Sequence, residues 1–208
     1  AEKNWELLPA GITAADFSPD NKKISYLKTN NDKSDLITKN LADAKTSTIL
    51  SLSQNDFDLK WLTDEKILLI PKPSSQFNAD IWAINVKNKT IERLFSGMGL
   101  MINWSTDGSL GLKFSVDQKR NSRLDLIDAQ GTLLANFDFS TLPEKCLIAD
   151  EEKIFCAIPQ SNNSIKEPVL PDDYLKRVVY FEDFIYKMDI GQNTFETIYT
   201  SQEMAIDA

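Results

Sequence analysis

The side chains that carry most enzyme chemistry are scarce in this chain. Its 208 residues include no histidine and only two cysteines, Cys146 and Cys156. A Ser-His-Asp or Cys-His nucleophile pair therefore cannot be built from it, and neither can a zinc site with histidine ligands. The sequence also lacks a Gly-x-Ser-x-Gly elbow and a glycine-rich phosphate loop. We predict no catalytic residue, no cofactor and no enzymatic activity.

Aspartate recurs at a fixed place in the sequence. A large apolar residue is followed three positions later by Asp in four copies, and the copies lie 43 or 44 residues apart. The four pairs are Phe17 and Asp20, Trp61 and Asp64, Trp104 and Asp107, and Leu147 and Asp150. Because aspartate side chains bind nearby backbone N–H groups in turns, we predict a structural role for all four aspartates. The acidic loop of residues 30–35 lacks the spacing of a calcium loop, so we predict no metal site.

The elements that position these aspartates are short strands. Each copy is followed by three further apolar segments separated by turn residues, and no segment keeps a helical period. Four strands in each unit of 40 to 45 residues are typical of a β-propeller blade, and a solenoid is the alternative. We predict an all-β chain with four complete antiparallel blades, at about residues 12–52, 55–96, 98–138 and 144–200.

Two of the turn motifs indicate a family. Residues 17–24 (FSPDNKKI) and 104–108 (WSTDG) resemble the WD40-like PD40 repeats of TolB-type propellers. The second copy keeps Trp61 and Asp64 but lacks the glycine, and the fourth keeps only Asp150. The resemblance covers roughly residues 12–200, and it implies a propeller fold without specifying a chemistry.

The fourth copy is similar to a late blade of uncharacterised bacterial envelope propellers. The similar segments are residues 141–146, 155–159 and 171–174. This resemblance implies a surface-exposed module to which a further blade is added. We expect residues 1–11 and 201–208 to be strands of flanking or closing blades in one domain over residues 1–208. The chain would then be part of a larger propeller, completed by further residues or by a second chain.

The two cysteines fall on neighbouring strands of the fourth blade. A three-residue turn at residues 150–152 would place Cys146 directly opposite Cys156, within reach of a disulfide. The alternative is two buried free thiols, which are common in protein cores. A two-residue turn would shift the register by one residue and place the cysteines on opposite faces of the sheet. A disulfide would indicate an oxidising, extracytoplasmic compartment.

The fourth blade also contains an insertion of about 17 residues between its second and third strands. Its second half is aromatic and begins at Pro171, where a short helix can start. The candidate binding surface consists of residue types common at hot spots: Tyr174, Arg177, Tyr180 and Phe181. The segment is either a recognition patch or a structural cap over its own blade.

Charge narrows the choice of partners. The net charge is −8, which disfavours binding to nucleic acid or to an anionic membrane surface. No apolar stretch reaches the roughly 20 residues that span a bilayer, so we expect any membrane anchor to lie outside this segment.

The leading function is a non-catalytic interaction or scaffold propeller of the bacterial envelope or surface, with a protein, peptide or glycan ligand. The alternatives are the gating propeller of a larger prolyl-oligopeptidase-like hydrolase, and an assembly subunit completed by another chain.

Overall fold

The computed structural model describes residues 7–31, 33–160, 168–192 and 194–200. Within these ranges the chain forms fifteen strands, one 3₁₀ turn and one short α-helix. The expectations for residues 1–6, Asp32, 161–167 and 201–208 fall outside the described part. No helix in the described ranges is long and apolar enough to cross a membrane.

The strands form antiparallel sheets of four, seven and four strands, and the seven-stranded sheet consists of two blades that share one long strand. The chain thus has the four four-stranded blades that the repeat predicts. The first blade is β1 (Ile12–Phe17), β2 (Lys23–Asn30), β3 (Lys33–Asn40) and β4 (Thr46–Leu52). The second blade is β5 (Phe57–Thr63), β6 (Lys66–Pro71), β7 (Asn78–Asn85) and the start of β8 (Ile91–Trp104). The third is the end of β8 with β9 (Leu110–Val116), β10 (Ser122–Asp128) and β11 (Leu133–Phe137). The fourth is β12 (Cys146–Ile148), β13 (Lys153–Pro159), β14 (Asp183–Asp189) and β15 (Thr194–Tyr199).

The chain divides into two compact units. Residues 1–72 and 81–93 form the first, and residues 73–80 and 94–208 form the second. The single domain over residues 1–208 stays a prediction.

The first unit is built around one apolar cluster. The inner face of the first blade contributes Leu27 and Leu36, and the second blade contributes Trp61, Ile67 and Leu69, all nearly inaccessible to solvent. The period-2 alternation of the strands places these side chains on one face of each sheet. Burial of each large apolar side chain contributes about 1.5–3 kcal/mol to folding, so the two blades stabilise each other.

The second unit has its own core between the third and fourth blades. Leu112, Phe114 and Leu124 of the third blade pack against Ile154 and Cys156 of the fourth. Phe114, Leu112, Leu124 and Ile154 are completely buried. One four-stranded sheet has two apolar faces, and packing against a neighbouring blade buries one of them.

A polar side chain connects the blades within each unit. In the first unit the Asp16 carboxylate accepts a hydrogen bond of 2.7 Å from the backbone N–H of Trp61. In the second unit the amide of Asn103 donates to the carbonyls of Cys146 (2.8 Å) and Pro143 (3.1 Å). Both residues directly precede the aromatic residue of the repeat, so the same repeat position holds the inner strand of the next blade.

In the fourth copy of the repeat, the buried position before the turn lies one residue later than the sequence pattern predicts. In the third blade the N–H of Ser105 binds the carbonyl of Leu110, whereas in the fourth the N–H of Ala149 binds the carbonyl of Lys153. The fourth turn is therefore one residue shorter. As a result Ile148, which is 5% exposed, occupies the buried place of Trp104, and Leu147 is 62% exposed. The assignment of Leu147 to the aromatic position is wrong for this reason.

Candidate interaction surface on the fourth blade

The insertion folds into a cap, which we define as residues 168–182. It contains the helix α1 (Asp172–Leu175), which begins directly after Pro171 as the sequence predicts. The Asp173 carboxylate accepts a hydrogen bond from the N–H of Val169 (2.8 Å) and fixes the approach to the helix.

The helix ends in a Schellman motif. The N–H of Val178 binds the carbonyl of Asp173, and the N–H of Arg177 binds the carbonyl of Tyr174, both at 2.8 Å. Arg177 has a φ of +55°, in the left-handed region where glycine is usual. The chain reverses at this residue and turns the following segment back toward the blade.

Lys145 anchors the cap from below. Its ammonium nitrogen lies 4.7 Å from the ring centroid of Tyr174 and 5.1 Å from that of Phe181. The two rings stack on each other at 5.6 Å with an interplanar angle of 19°. Lys145 also forms an ion pair with Asp183, and both side chains are almost completely buried. A desolvated cation–π contact contributes about 2 kcal/mol, so these contacts fix the aromatic half of the cap.

A second set of contacts holds the start of the helix. The N–H of Ser75 donates to the Asp172 carboxylate at 2.7 Å. Burial alone would raise the pKa of Asp172, but the hydrogen bonds from Ser75 outweigh it and hold the pKa below its ordinary value. Gly99 lies against Pro171, where an added Cβ would come within 3.1 Å of the proline ring. The cap is therefore fixed at both ends.

The outer side of the cap is apolar and basic. Leu175 is 42% exposed, Val178 66% and Tyr180 67%, and Lys176 and Arg177 are exposed beside them. We call these five residues the cap surface. The structure thus divides the four predicted binding residues: Arg177 and Tyr180 point outward, while Tyr174 and Phe181 pack on Lys145.

Four residues that form or hold the cap are not predicted from the sequence: Lys145, Asp183, Leu175 and Val178. The available signal was weak, because it consisted of a lysine and an aspartate beside apolar segments 38 positions apart. Nothing in the sequence indicates that these two charges meet.

Three of the predicted turn aspartates bind backbone N–H groups of their own hairpins. Asp20 accepts from the N–H of Lys22 (3.0 Å), Asp107 from that of Ser109 (3.1 Å) and Asp150 from that of Lys153 (2.8 Å). Asp64 lies in a tighter turn, where Thr63 pairs directly with Lys66.

The serines that precede two of these aspartates reinforce the turns. The hydroxyl of Ser105 donates to Asp107 at 2.6 Å, and the hydroxyl of Ser18 donates to Asp20 at 2.7 Å. These hydrogen bonds are the main reason that the pKa values of Asp107 and Asp20 are lowered. For Asp150 the hydrogen bond from the N–H of Glu152 lowers the pKa.

Cys146 and Cys156 form the disulfide that the turn length predicts. The register pairs Cys146 with Cys156 and Ile148 with Ile154, and the two sulfurs are bonded. Both cysteines are buried in the core between the third and fourth blades. The bond fixes β12 against β13 one residue after Lys145, the anchor of the cap.

Two open clefts lie among the described residues of the second unit. The larger, of about 660 Å³, lies at the ends of β9, β10 and β11. Two of its polar lining residues, Arg123 and Asn136, are bound to the buried Asp125 at 2.6 and 2.9 Å. The smaller, of about 350 Å³, lies between the turns of Asp107 and Asp150. In the described ranges no group of three or more acidic or cysteine side chains is placed to hold a metal ion.

Comparison with known proteins identifies the fold. No family model matches the chain, and neither does any curated protein. The solved structure of TolB from Acinetobacter baumannii is similar with a TM-score of 0.54 and 17% identity, over 94% of this chain and 44% of that one. The β-propeller domain of the Trilobed protease from Pyrococcus furiosus has a TM-score of 0.58 and 13% identity, over 91% and 57%.

An oligogalacturonate lyase, solved in complex with manganese, has a TM-score of 0.63 and 12% identity, over 97% of this chain and 58% of that one. The chain thus spans about half the length of these proteins. The fold is a TolB-like β-propeller fold, as the turn motifs indicate. The neighbours include enzymes as well as TolB, so the fold alone assigns no activity.

Proposed function

We propose that this TolB-like propeller chain is a non-catalytic protein-interaction module of the cell envelope, and that the cap surface is its recognition site. One observation carries the proposal: the cap is held by buried contacts while three large apolar side chains remain exposed on its outside. A loop that served only to cover its own blade would be expected to turn such side chains inward. Exposed apolar side chains on a segment of fixed geometry are typical of interaction sites.

The residue types at the surface favour a protein partner. Tyrosine and arginine are enriched at hot spots, where one or two side chains contribute most of the binding energy. Tyr180 and Arg177 provide this combination, with Leu175 and Val178 as apolar neighbours. Because Lys145 and Asp172 already fix the cap, little conformational entropy remains to be lost on binding.

The envelope location is supported by the disulfide. Disulfides persist in oxidising compartments and are rare in the cytosol. The resemblance of the fourth blade to envelope propellers agrees with this assignment.

A second candidate function is the gating propeller of a larger hydrolase. It is favoured by the similarity to the propeller domain of the Trilobed protease. A third is an assembly subunit whose propeller is completed by further blades or by a second chain. It is favoured by the exposed Leu147 on the face of the fourth blade opposite its core.

Affinity capture from envelope extract tests the proposed function. Wild-type chain, Tyr180→Ala and Leu134→Ala are immobilised in parallel. Leu134 is 51% exposed on β11 and serves as the matched control. Loss of a hot-spot side chain costs about 2 kcal/mol or more, so Tyr180→Ala should reduce recovery of a bound protein at least about tenfold.

Leu134→Ala should leave that recovery unchanged, and the melting temperatures of all three proteins should agree. Identical captured proteins in identical amounts on all three would refute the role of the cap surface.

A further inference from the structure

The two carboxylates of helix α1 are bound by backbone N–H groups: Asp172 accepts from Ser75, and Asp173 accepts from Val169. Just after the cap, Asp183 is paired with Lys145. Three of the four carboxylates in residues 172–183 are thus bound by backbone N–H groups or by a buried ammonium, and the fourth, that of Glu182, belongs to a half-buried residue.

The cations of the cap point outward. The Lys176 side chain is 65% exposed and only weakly paired with Asp172, at 3.9 Å. Arg177 is exposed, and among the described residues its guanidinium has no hydrogen-bond or ion-pair partner. A chain with a net charge of −8 therefore presents a small basic site bordered by apolar side chains. A partner with the opposite charge at this position is steered toward the site and held in register.

Folding alone does not account for an arginine at position 177. A non-glycine residue in the left-handed region is strained, and glycine is the usual residue at this place in a Schellman motif. Glycine would serve the turn as well or better, so the turn does not require the arginine side chain, which is free to contact a partner.

We infer that the cap surface binds an acidic protein segment that carries an apolar anchor. In this complex the Arg177 guanidinium forms a two-point contact with a carboxylate of the partner, since arginine matches that geometry. The apolar side chain of the partner packs on Val178 and Tyr180, and Lys176 adds long-range attraction. This inference rests on the proposed function and specifies its partner.

Selection from a random peptide display library on the full chain tests it. The enriched peptides should combine aspartate or glutamate with a leucine or an aromatic residue. A fluorescein-labelled member of the enriched set is then titrated against the variants. Arg177→Gly should weaken its binding about 10- to 150-fold, because a charge-assisted contact of this kind contributes about 1.5–3 kcal/mol. Lys176→Ala should weaken it less, and added salt should reduce the difference.

Arg120→Gly is the matched control. Arg120 is also an exposed arginine with positive φ (+67°), and it lies in the turn between β9 and β10 of the same unit. Both glycine variants should melt at or above the wild-type temperature, and Arg120→Gly should bind the peptide like wild type.

The outcomes separate the inference from the proposed function. Peptides that require Tyr180 but are not acidic, or that bind Arg177→Gly as tightly as wild type, overturn the inference and leave the function standing. Peptides insensitive to every cap variant, or no enrichment at all, overturn both.

Discussion

Lys145 holds the cap in place although it is not part of the cap surface. It precedes β12, and its ammonium is covered by two aromatic rings and by Asp183. A lysine is almost never fully buried unless it is paired. Such a pair cannot be predicted from the sequence, because the two charges are distant in the chain. A lysine or an aspartate is ordinarily expected at the surface.

Removal of the Lys145 charge should destabilise the chain more than any surface lysine does. Lys145→Met leaves Asp183 buried without its cation, which costs about 3–5 kcal/mol. The double variant Lys145→Met/Asp183→Asn should recover a large part of this loss, because no buried charge remains. Urea denaturation followed by tryptophan fluorescence measures all three free energies of unfolding.

Lys153→Met is the control for this experiment. Lys153 lies on the neighbouring strand, is 43% exposed, and pairs with Asp150 at 3.4 Å. Exposed pairs contribute about 0–1 kcal/mol. If Lys145→Met costs no more than Lys153→Met, the buried pair does not anchor the cap.

At the scale of elements, the hairpin turn is the repeated structure that the sequence describes best. In the third blade Ser105 and Asp107 bind each other, and the serine hydroxyl also accepts from the N–H of Leu110 at 3.0 Å. The serine and aspartate side chains thus form hydrogen bonds with backbone groups that have no backbone partner in the turn. The recurring Asp predicts this role from sequence because its chemistry is local.

The turn of Asp107 should make stability depend on pH below about pH 4. Its pKa is lowered in the folded chain by the Ser105 hydrogen bond. The stabilisation is therefore complete above the unfolded pKa of about 3.9 and is lost as the pH falls through the lower folded value. Asp107→Asn should cost about 0.5–1.5 kcal/mol at pH 7, as one hydrogen bond does.

The difference between wild type and Asp107→Asn should stay constant from pH 7 to about pH 4 and shrink at lower pH, because protonated aspartate and asparagine are alike. Chemical denaturation at a series of pH values measures it. A difference that stays constant at the lower pH values as well would show that the Asp107 charge does not contribute.

Other features of the strands and turns could be seen only in the structure. The turn at Asp150 is one residue shorter than the turns at Asp20 and Asp107, and this exchanges the roles of Leu147 and Ile148. The spacing of the repeat does not reveal the length of an individual turn. A one-residue difference in that length places each side chain of the strand on the opposite face of the sheet. β8 also runs without interruption through the boundary predicted between the second and third blades, with an irregularity between Met98 and Met101.

At the scale of the whole molecule, the repeat predicts the fold class because each blade needs a neighbour to bury its apolar face. The two clusters of the structure meet this requirement within each unit. The connections through Asp16 and Asn103 could not be predicted, since they depend on which backbone atoms of the next blade come within reach. The function of the chain is harder to predict from its sequence than the fold, because unrelated activities share this fold.

The disulfide bears on one property of the whole molecule, the cellular compartment in which it resides. Cys146 and Cys156 close a loop with a sequence separation of 10, and a crosslink of this size contributes about 2–3 kcal/mol in the chain-entropy account. Cys146→Ala/Cys156→Ala should lower the free energy of unfolding by about this amount in non-reducing buffer. In buffer with reductant and denaturant, the wild type should converge on the variant.

Because both sulfurs are buried, native wild-type chain isolated from an oxidising compartment should take up no alkylating reagent until it is denatured and reduced. Mass spectrometry then counts two added groups. Two thiols that react in the native, unreduced chain would contradict the disulfide and remove the physical support for an extracytoplasmic location.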